Sequence, residues 1–258
     1  MTVKYDLPIP RYGTKTIVVK NSDNVLCNIF YEIVDDITLN ILSYDYEDDN
    51  ALIKGLQCIK ALSYLFKYSV VVNDEIKDIY DSIEYDDKLL VHFIRVIIKY
   101  YSPNAMFDKY GDLYLFHAGN VDLSSILHIN LNHYGSEVGN GLYTCLTSSF
   151  ALNHRMGRCS LISVYTLDLK LILETLDYFI FGIRNVNSFA SSDFDLIMQS
   201  GPSRFCRQHG GQCVIKTKHG LQCLNGNGCY YRSEFRELII DGKIRSECEI
   251  EYNYEIEL

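Results

Sequence analysis

Residues 113–119 read LYLFHAG, and residues 134–154 read YGSEVGNGLYTCLTSSFALNH. The first stretch is an apolar strand that ends in His117 and runs into the small pair Ala118 and Gly119. The second sets Gly135, Gly139 and Gly141 before Tyr143, which allows close backbone approach, and then offers Thr147, Ser148 or Ser149 as the cap of a helix over 147–155. Taken singly, these pieces are ordinary: a histidine at a strand end is more often a packing residue than a catalyst, and a glycine-rich turn is a turn. The glycine spacing also lacks the dinucleotide fingerprint and the Lys-Ser/Thr pair of a nucleoside triphosphate loop. Their order changes the weight. A strand ending in His117 precedes a G-x-G-x-Y turn with its tyrosine 26 residues later, then comes a Ser-rich helix start, a strand over 160–167, and finally residues 233–241, SEFRELIID, where Glu237 opens an apolar strand.

Working outward, residues 212–216 read as a further strand, and helices are expected over 168–176 and 193–205. The last twelve residues alternate strictly, with Cys248, Ile250, Tyr252, Tyr254, Ile256 and Leu258 on one side and mostly glutamates on the other. That is the pattern of a half-buried strand with one wet face. Upstream, Leu52, Leu56, Ile59, Leu62 and Phe66 recur at helical spacing, as do Ile76, Ile79, Tyr80 and Ile83, and then Leu89, Leu90, Phe93, Ile94, Ile97 and Ile98. Residues 25–37, behind a candidate cap at Asp23, favour a helix as well, although their β-branched content also suits a strand. Pro103 follows the last of these helices closely and marks a boundary near residue 105.

The block around His117, Tyr143 and Glu237 resembles the ADP-ribosyltransferases of the diphtheria toxin and poly(ADP-ribose) polymerase type, called H-Y-E after their three motif residues. The stretch from LFHAG to ALNH looks like that superfamily's HG…FGKGIYF…S…A block, and SEFRELIID looks like its NEYIV strand. The resemblance covers roughly residues 111–258. It implies an α+β fold: an ADP-ribosyltransferase-like split β-sheet catalytic domain over 106–258, preceded by a mainly helical region over 1–105. It also implies NAD as substrate, contacted by His117, Ala118, Gly119, Tyr143, Ser149 and His154. In that scheme His117 bonds a ribose hydroxyl, Tyr143 stacks on nicotinamide, and Glu237 faces the positive charge that develops as the glycosidic bond opens. Two positions depart from the pattern: Ala118 stands where the family has glycine, and His154 falls about where a second aromatic sandwiches the ring.

Chemistry supports the same roles. An oxocarbenium-like centre calls for one fixed carboxylate, which stabilises the transition state more than the ground state, and no metal is needed. Glu234 is the competing carboxylate; three residues from Glu237 on an extended strand, it belongs to the opposite face. The activity implied is mono-ADP-ribosylation of a protein acceptor, as by an effector or toxin. An NAD glycohydrolase using the same pocket, or a catalytically silent module that binds NAD or a partner, are the alternatives. The helices between Leu52 and Tyr101 either complete the core or recognise the substrate protein.

Composition bounds these readings. A net charge of -9 argues against a protein that grips nucleic acid through its phosphates. No apolar run is long enough to cross a bilayer, and the N-terminus lacks a secretory h-region, so no membrane association is expected. Nine cysteines, an odd number, favour reduced thiols and a cytoplasmic location, with delivery into a host cell by a signal-peptide-independent route left open. Cys206, His209, Cys213, Cys223 and Cys229 are zinc-type ligands, but no C-x2-C pair occurs among them, so a loop with reduced thiols is the plainer reading. Arg204, Arg207, Lys216, Lys218 and Arg232 make that neighbourhood locally basic.

Overall fold

Alternation governs the first 46 residues. Val3 and Tyr5, Ile17 and Val19, and then Cys27, Ile29, Tyr31 and Ile33 are buried at every second position, as strands with one covered face require. They belong to β1 (Thr2–Tyr5), β2 (Lys15–Asn21) and β3 (Asn24–Ile33), and β4 (Thr38–Tyr46) follows. The structure, a computed structural model, describes residues 1–8, 12–118, 141–148, 151, 161–180, 194–199, 211–225, 230–232, 237–240, 243–245 and 255–257.

The helix expected over 25–37 is therefore strand β3, and the N-terminal region is strands up to Tyr46 with helices only after it. Ile29 and Ile33 satisfy both periods, so local spacing does not choose between them. The choice is made by non-local pairing, in which Ile17 faces Ile29 and Val19 faces Cys27. Asp23, expected as a helix cap, instead sits in the β2–β3 hairpin turn beside Ser22, whose φ is 53°.

Helix α1 (Asp49–Phe66) begins where the Asp48 carboxylate accepts the backbone N–H groups of Asn50 and Ala51, and stops where Lys67 turns left-handed at φ 57°. Leu52, Leu56, Ile59 and Leu62 are buried along it, as their spacing predicts. Gly55 lets the helix lie close to the sheet, because a Cβ there would stand 2.7 Å from Ile29 Cδ1. Strand β5 (Ser69–Val71), α2 (Asp74–Ser82) and α3 (Asp87–Tyr101) follow. Lys60 on α1 donates to the carbonyls of Tyr80 at 3.0 Å and Ile83 at 2.6 Å, satisfying the C-terminal end of α2.

The chain divides into two units, Met1–Ile97 with Tyr252–Leu258, and Ile98–Glu251. The division falls inside α3, where the sequence places it near residue 105. The C-terminus returns to the first unit: β16 (Glu255–Glu257) pairs antiparallel with β1, Val3 facing Ile256. This is the described part of the alternating tail; residues 246–254 lie outside the described residues. The first unit's sheet thus runs β16-β1-β2-β3-β4-β5, antiparallel except for β4 and β5.

The second unit holds β6 (Leu113–Ala118), β7 (Leu142–Cys145), β8 (Leu161–Leu167), β9 (Tyr178–Ile180), β10 (Leu196–Gln199), β11 (Gln212–Ile215), β12 (Leu224–Asn225), β13 (Tyr230–Arg232), β14 (Glu237–Ile240) and β15 (Lys243–Arg245). Their order is β15-β14-β13-β8-β6-β7-β11-β10-β9, with β12 beside β8. Two short helices are capped by side chains: α4 (Leu169–Thr175), within the stretch expected to be helical, by Asp168, and α5 (Lys218–Gln222) by Thr217. Where a helix was expected over 193–205, residues 196–199 form β10, held between β9 and β11. Mixed α+β architecture is the outcome. Within the second unit Phe116, Ala118, Cys145, Ala151, Ile162 and Val164 form a core cluster.

Candidate functional site

β6 pairs with β8 over six residues but meets β7, among the described residues, through the single register pair Phe116 and Cys145. Beyond that pair a side chain makes the link: His117 Nδ1 lies 2.8 Å from the Tyr143 backbone oxygen. A carbonyl only accepts, so Nδ1 carries the proton, and in the neutral ring Nε2 is the acceptor.

Strand alternation places the other residues. Phe116 and Ala118 point into the core cluster with Cys145, so His117 between them points to the opposite face. Tyr143 is in phase with Cys145, and its ring packs, partly buried, on Ile197 and Val214 together with Phe194. His117 and the Tyr143 ring therefore meet through the tyrosine's backbone. A ligand touching both must lie across the strand ends. Gly141 explains the close approach there, since a Cβ would stand 2.5 Å from Val214 Cγ1 and 2.8 Å from the Ile215 carbonyl oxygen. Ala118 is buried, with its methyl in the core cluster and away from the His117 face.

Glu237 opens β14. Across the sheet His117 faces Ser163, Ser163 faces Tyr230, and Tyr230 faces Ile239. The Glu237 position, two residues before Ile239, has the alternation phase of His117 and lies towards the same end of the strands. Three strand spacings separate β6 from β14, roughly 14 Å in a flat sheet. A dinucleotide can span that separation and a single ribose cannot. Gly119, Ser149, His154 and Glu234 lie outside the described residues.

A second cluster, at the β10–β11 end, was missed by sequence reasoning. The Asp195 carboxylate accepts the Thr217 hydroxyl, the Asp177 N–H at 3.2 Å and His219 Nδ1 at 3.0 Å. Burial acts to raise its pKa, but the bonds from Thr217, His219 and the Asp177 backbone more than offset this and leave the carboxyl below its ordinary value. Reading 193–205 as a helix concealed the cluster; the short apolar run Leu196-Ile197-Met198 directly behind an aspartate was the available signal.

Of the five zinc-type candidates, Cys213 and Cys223 are described and both are buried. Burial pushes the Cys213 thiol well above its ordinary value, although the Thr144 hydroxyl acts against it. Cys206, His209 and Cys229 lie outside the described residues, and among the described residues no three potential ligands group together. No helix among the described residues is long and apolar enough to cross a membrane. Charge is divided unevenly: residues 1–97 and 252–258 hold 10 Lys/Arg and 18 Asp/Glu, net -8, leaving 14 and 15, net -1, in 98–251. The second unit is thus nearly neutral and the acidity lies in the first.

Comparison with family models, curated proteins and solved structures finds no match to this chain.

Proposed function

We propose that the chain is an NAD-dependent mono-ADP-ribosyltransferase that transfers ADP-ribose to a protein acceptor and releases nicotinamide. The observation that carries this reading is the bond from His117 Nδ1 to the Tyr143 carbonyl at the end of β6. It fixes the neutral tautomer whose Nε2 accepts a hydrogen bond, the role required for gripping a ribose hydroxyl. The shared strand end and alternation phase of His117 and Glu237 support it further.

In this reading His117 orients one ribose of NAD, the Tyr143 ring offers a flat surface to a ring at that end of the dinucleotide rather than to the nicotinamide, and Glu237, three strands from β6, supplies a fixed negative charge to the nicotinamide ribose. As the bond between C1′ and the pyridinium nitrogen breaks, its electron pair leaves with nicotinamide and positive charge grows on the ribose. A preoriented carboxylate stabilises that charge more in the transition state than in bound NAD. Ala118 is compatible with the scheme because its methyl is accommodated in the core.

The test is incubation of the full chain with labelled NAD in a cell lysate, beside the Glu237→Gln variant. Protein-bound label that the variant fails to produce supports transfer. Free ADP-ribose without protein label replaces it by NAD hydrolysis, and neither product rejects the reading.

A further inference from the structure

We propose that Asp195 is a positioning residue of the candidate site, holding Phe194 and the ends of β10 and β11 where they back the ring of Tyr143. This rests on the reading of Tyr143 as a ligand-facing ring, and it assigns a role to a cluster that the resemblance does not supply.

The geometry is a chain of three contacts. Asp195 is bonded through its backbone as well as its side chain: its N–H donates to the Asp177 carbonyl at 2.8 Å, and its carbonyl accepts the Lys216 N–H at 2.9 Å. With Thr217, His219 and the Asp177 N–H on the carboxylate, one residue ties together the segment before β9, the start of β10 and the segment after β11. Packing tightens this further, because a Cβ at Gly220 would stand 2.7 Å from the Asp195 carbonyl oxygen. Phe194 immediately precedes Asp195, so the bonds made by Asp195 hold the chain at its C-terminal side. It packs with Tyr143 on Ile197 and Val214, and Val214 is the β11 partner of Tyr143.

A group that only closed a turn would affect stability alone. Asp195 has a path to the ligand, through Phe194 and Val214 to the Tyr143 ring. Its side chain is 15% exposed and that of His219 is 48% exposed, so His219 can be truncated with little loss of packing.

The chain contains no tryptophan, so Phe194→Trp introduces a single fluorescent reporter at the wall itself. In that background, Asp195→Ala is expected to red-shift the emission and to raise the KM for NAD about fivefold to tenfold, with kcat within about twofold, because ring stacking acts on ground-state binding. Asp195→Asn, which keeps an acceptor oxygen, is expected to recover part of the KM. If Asp195→Ala fails to fold, His219→Gln and Thr217→Val serve in its place, with smaller shifts in the same direction. Folded variants with unchanged KM and unchanged emission overturn the proposal while leaving NAD chemistry intact. A parent chain that neither binds nor cleaves NAD removes the functional reading, and the proposal with it.

Discussion

His117 holds the backbone of Tyr143, with Nδ1 2.8 Å from the carbonyl oxygen, while the tyrosine ring packs elsewhere on Ile197 and Val214. The two ring nitrogens thus have separable duties. One joins β6 to β7 beyond their register pair, and the other is the proposed acceptor for a ribose hydroxyl.

That separation predicts different outcomes for two substitutions. Asn places its amide N–H near the position of Nδ1 but has nothing at Nε2, so His117→Asn is expected to keep stability within about 0.5 kcal/mol and to weaken NAD binding by about 1 kcal/mol. His117→Ala loses both bonds and is expected to lower stability as well. Calorimetry with NAD and thermal melts of both variants check this. If His117→Asn binds NAD as tightly as the parent, the imidazole is a strand fastener only.

Glu237→Gln tests the carboxylate. The amide is nearly isosteric but uncharged, so transfer is expected to fall by roughly 10² to 10³ while NAD affinity changes little. Single-turnover rates and NAD binding, measured on the same preparation, separate the two effects. An unchanged rate would move the assignment to Glu234.

The strands at His117 and Glu237 were legible because each is a short apolar run between polar breaks, and such a run needs only its own sequence to be recognised; the stretch at Tyr143, read as a turn, is strand β7, which its pairing with β11 decides. β3 was not legible either, because Ile29 and Ile33 suit a helix until Ile17 and Val19 are known to lie opposite. β10 was misread for the same reason: its strand state depends on β9 and β11 on either side. The pairing of Val3 with Ile256 joins the two ends of the chain, and nothing local announces it. Cutting the chain near Asn104, where the sequence marks a boundary, would therefore leave β16 without β1. At the site, residue types were readable but their directions were not. The sequence names His117 and Tyr143; only register shows that their side chains take opposite faces, and Phe194 and Asp195 enter through packing alone.

Gly141 is the described glycine at which an added Cβ would come closest to its surroundings, 2.5 Å from Val214 Cγ1. Gly141→Ala would drive a methyl against Val214 and the Ile215 carbonyl, and a backbone atom cannot swing aside as a side-chain end does. A stability loss of about 1 to 3 kcal/mol is expected, together with weaker NAD binding because Tyr143 lies two residues on. Denaturant unfolding and calorimetry measure the two. An alanine variant as stable as the parent would show that the β7–β11 approach is looser than described.

The last prediction concerns acid. His92 on α3 is bonded to the Tyr5 hydroxyl at 2.7 Å through Nε2, and Phe93 is packed beside both rings. Burial, aided by the charge of Arg95, lowers the His92 pKa from 6.5 to about 4. The folded state therefore favours the neutral ring. The sign follows from linkage: the unfolded chain takes up the proton first, so stability is intact above pH 6.5 and declines as the pH falls from there towards 4. The loss from this group is at most about 3 kcal/mol. His92→Gln removes the titration and keeps a polar partner for Tyr5, so its unfolding midpoint should fall less than the parent's between pH 7 and pH 5. Hydrogen exchange of the β1 and α3 peptides at the two pH values localises the effect to the first unit. Equal acid losses in parent and variant would assign the sensitivity to another group.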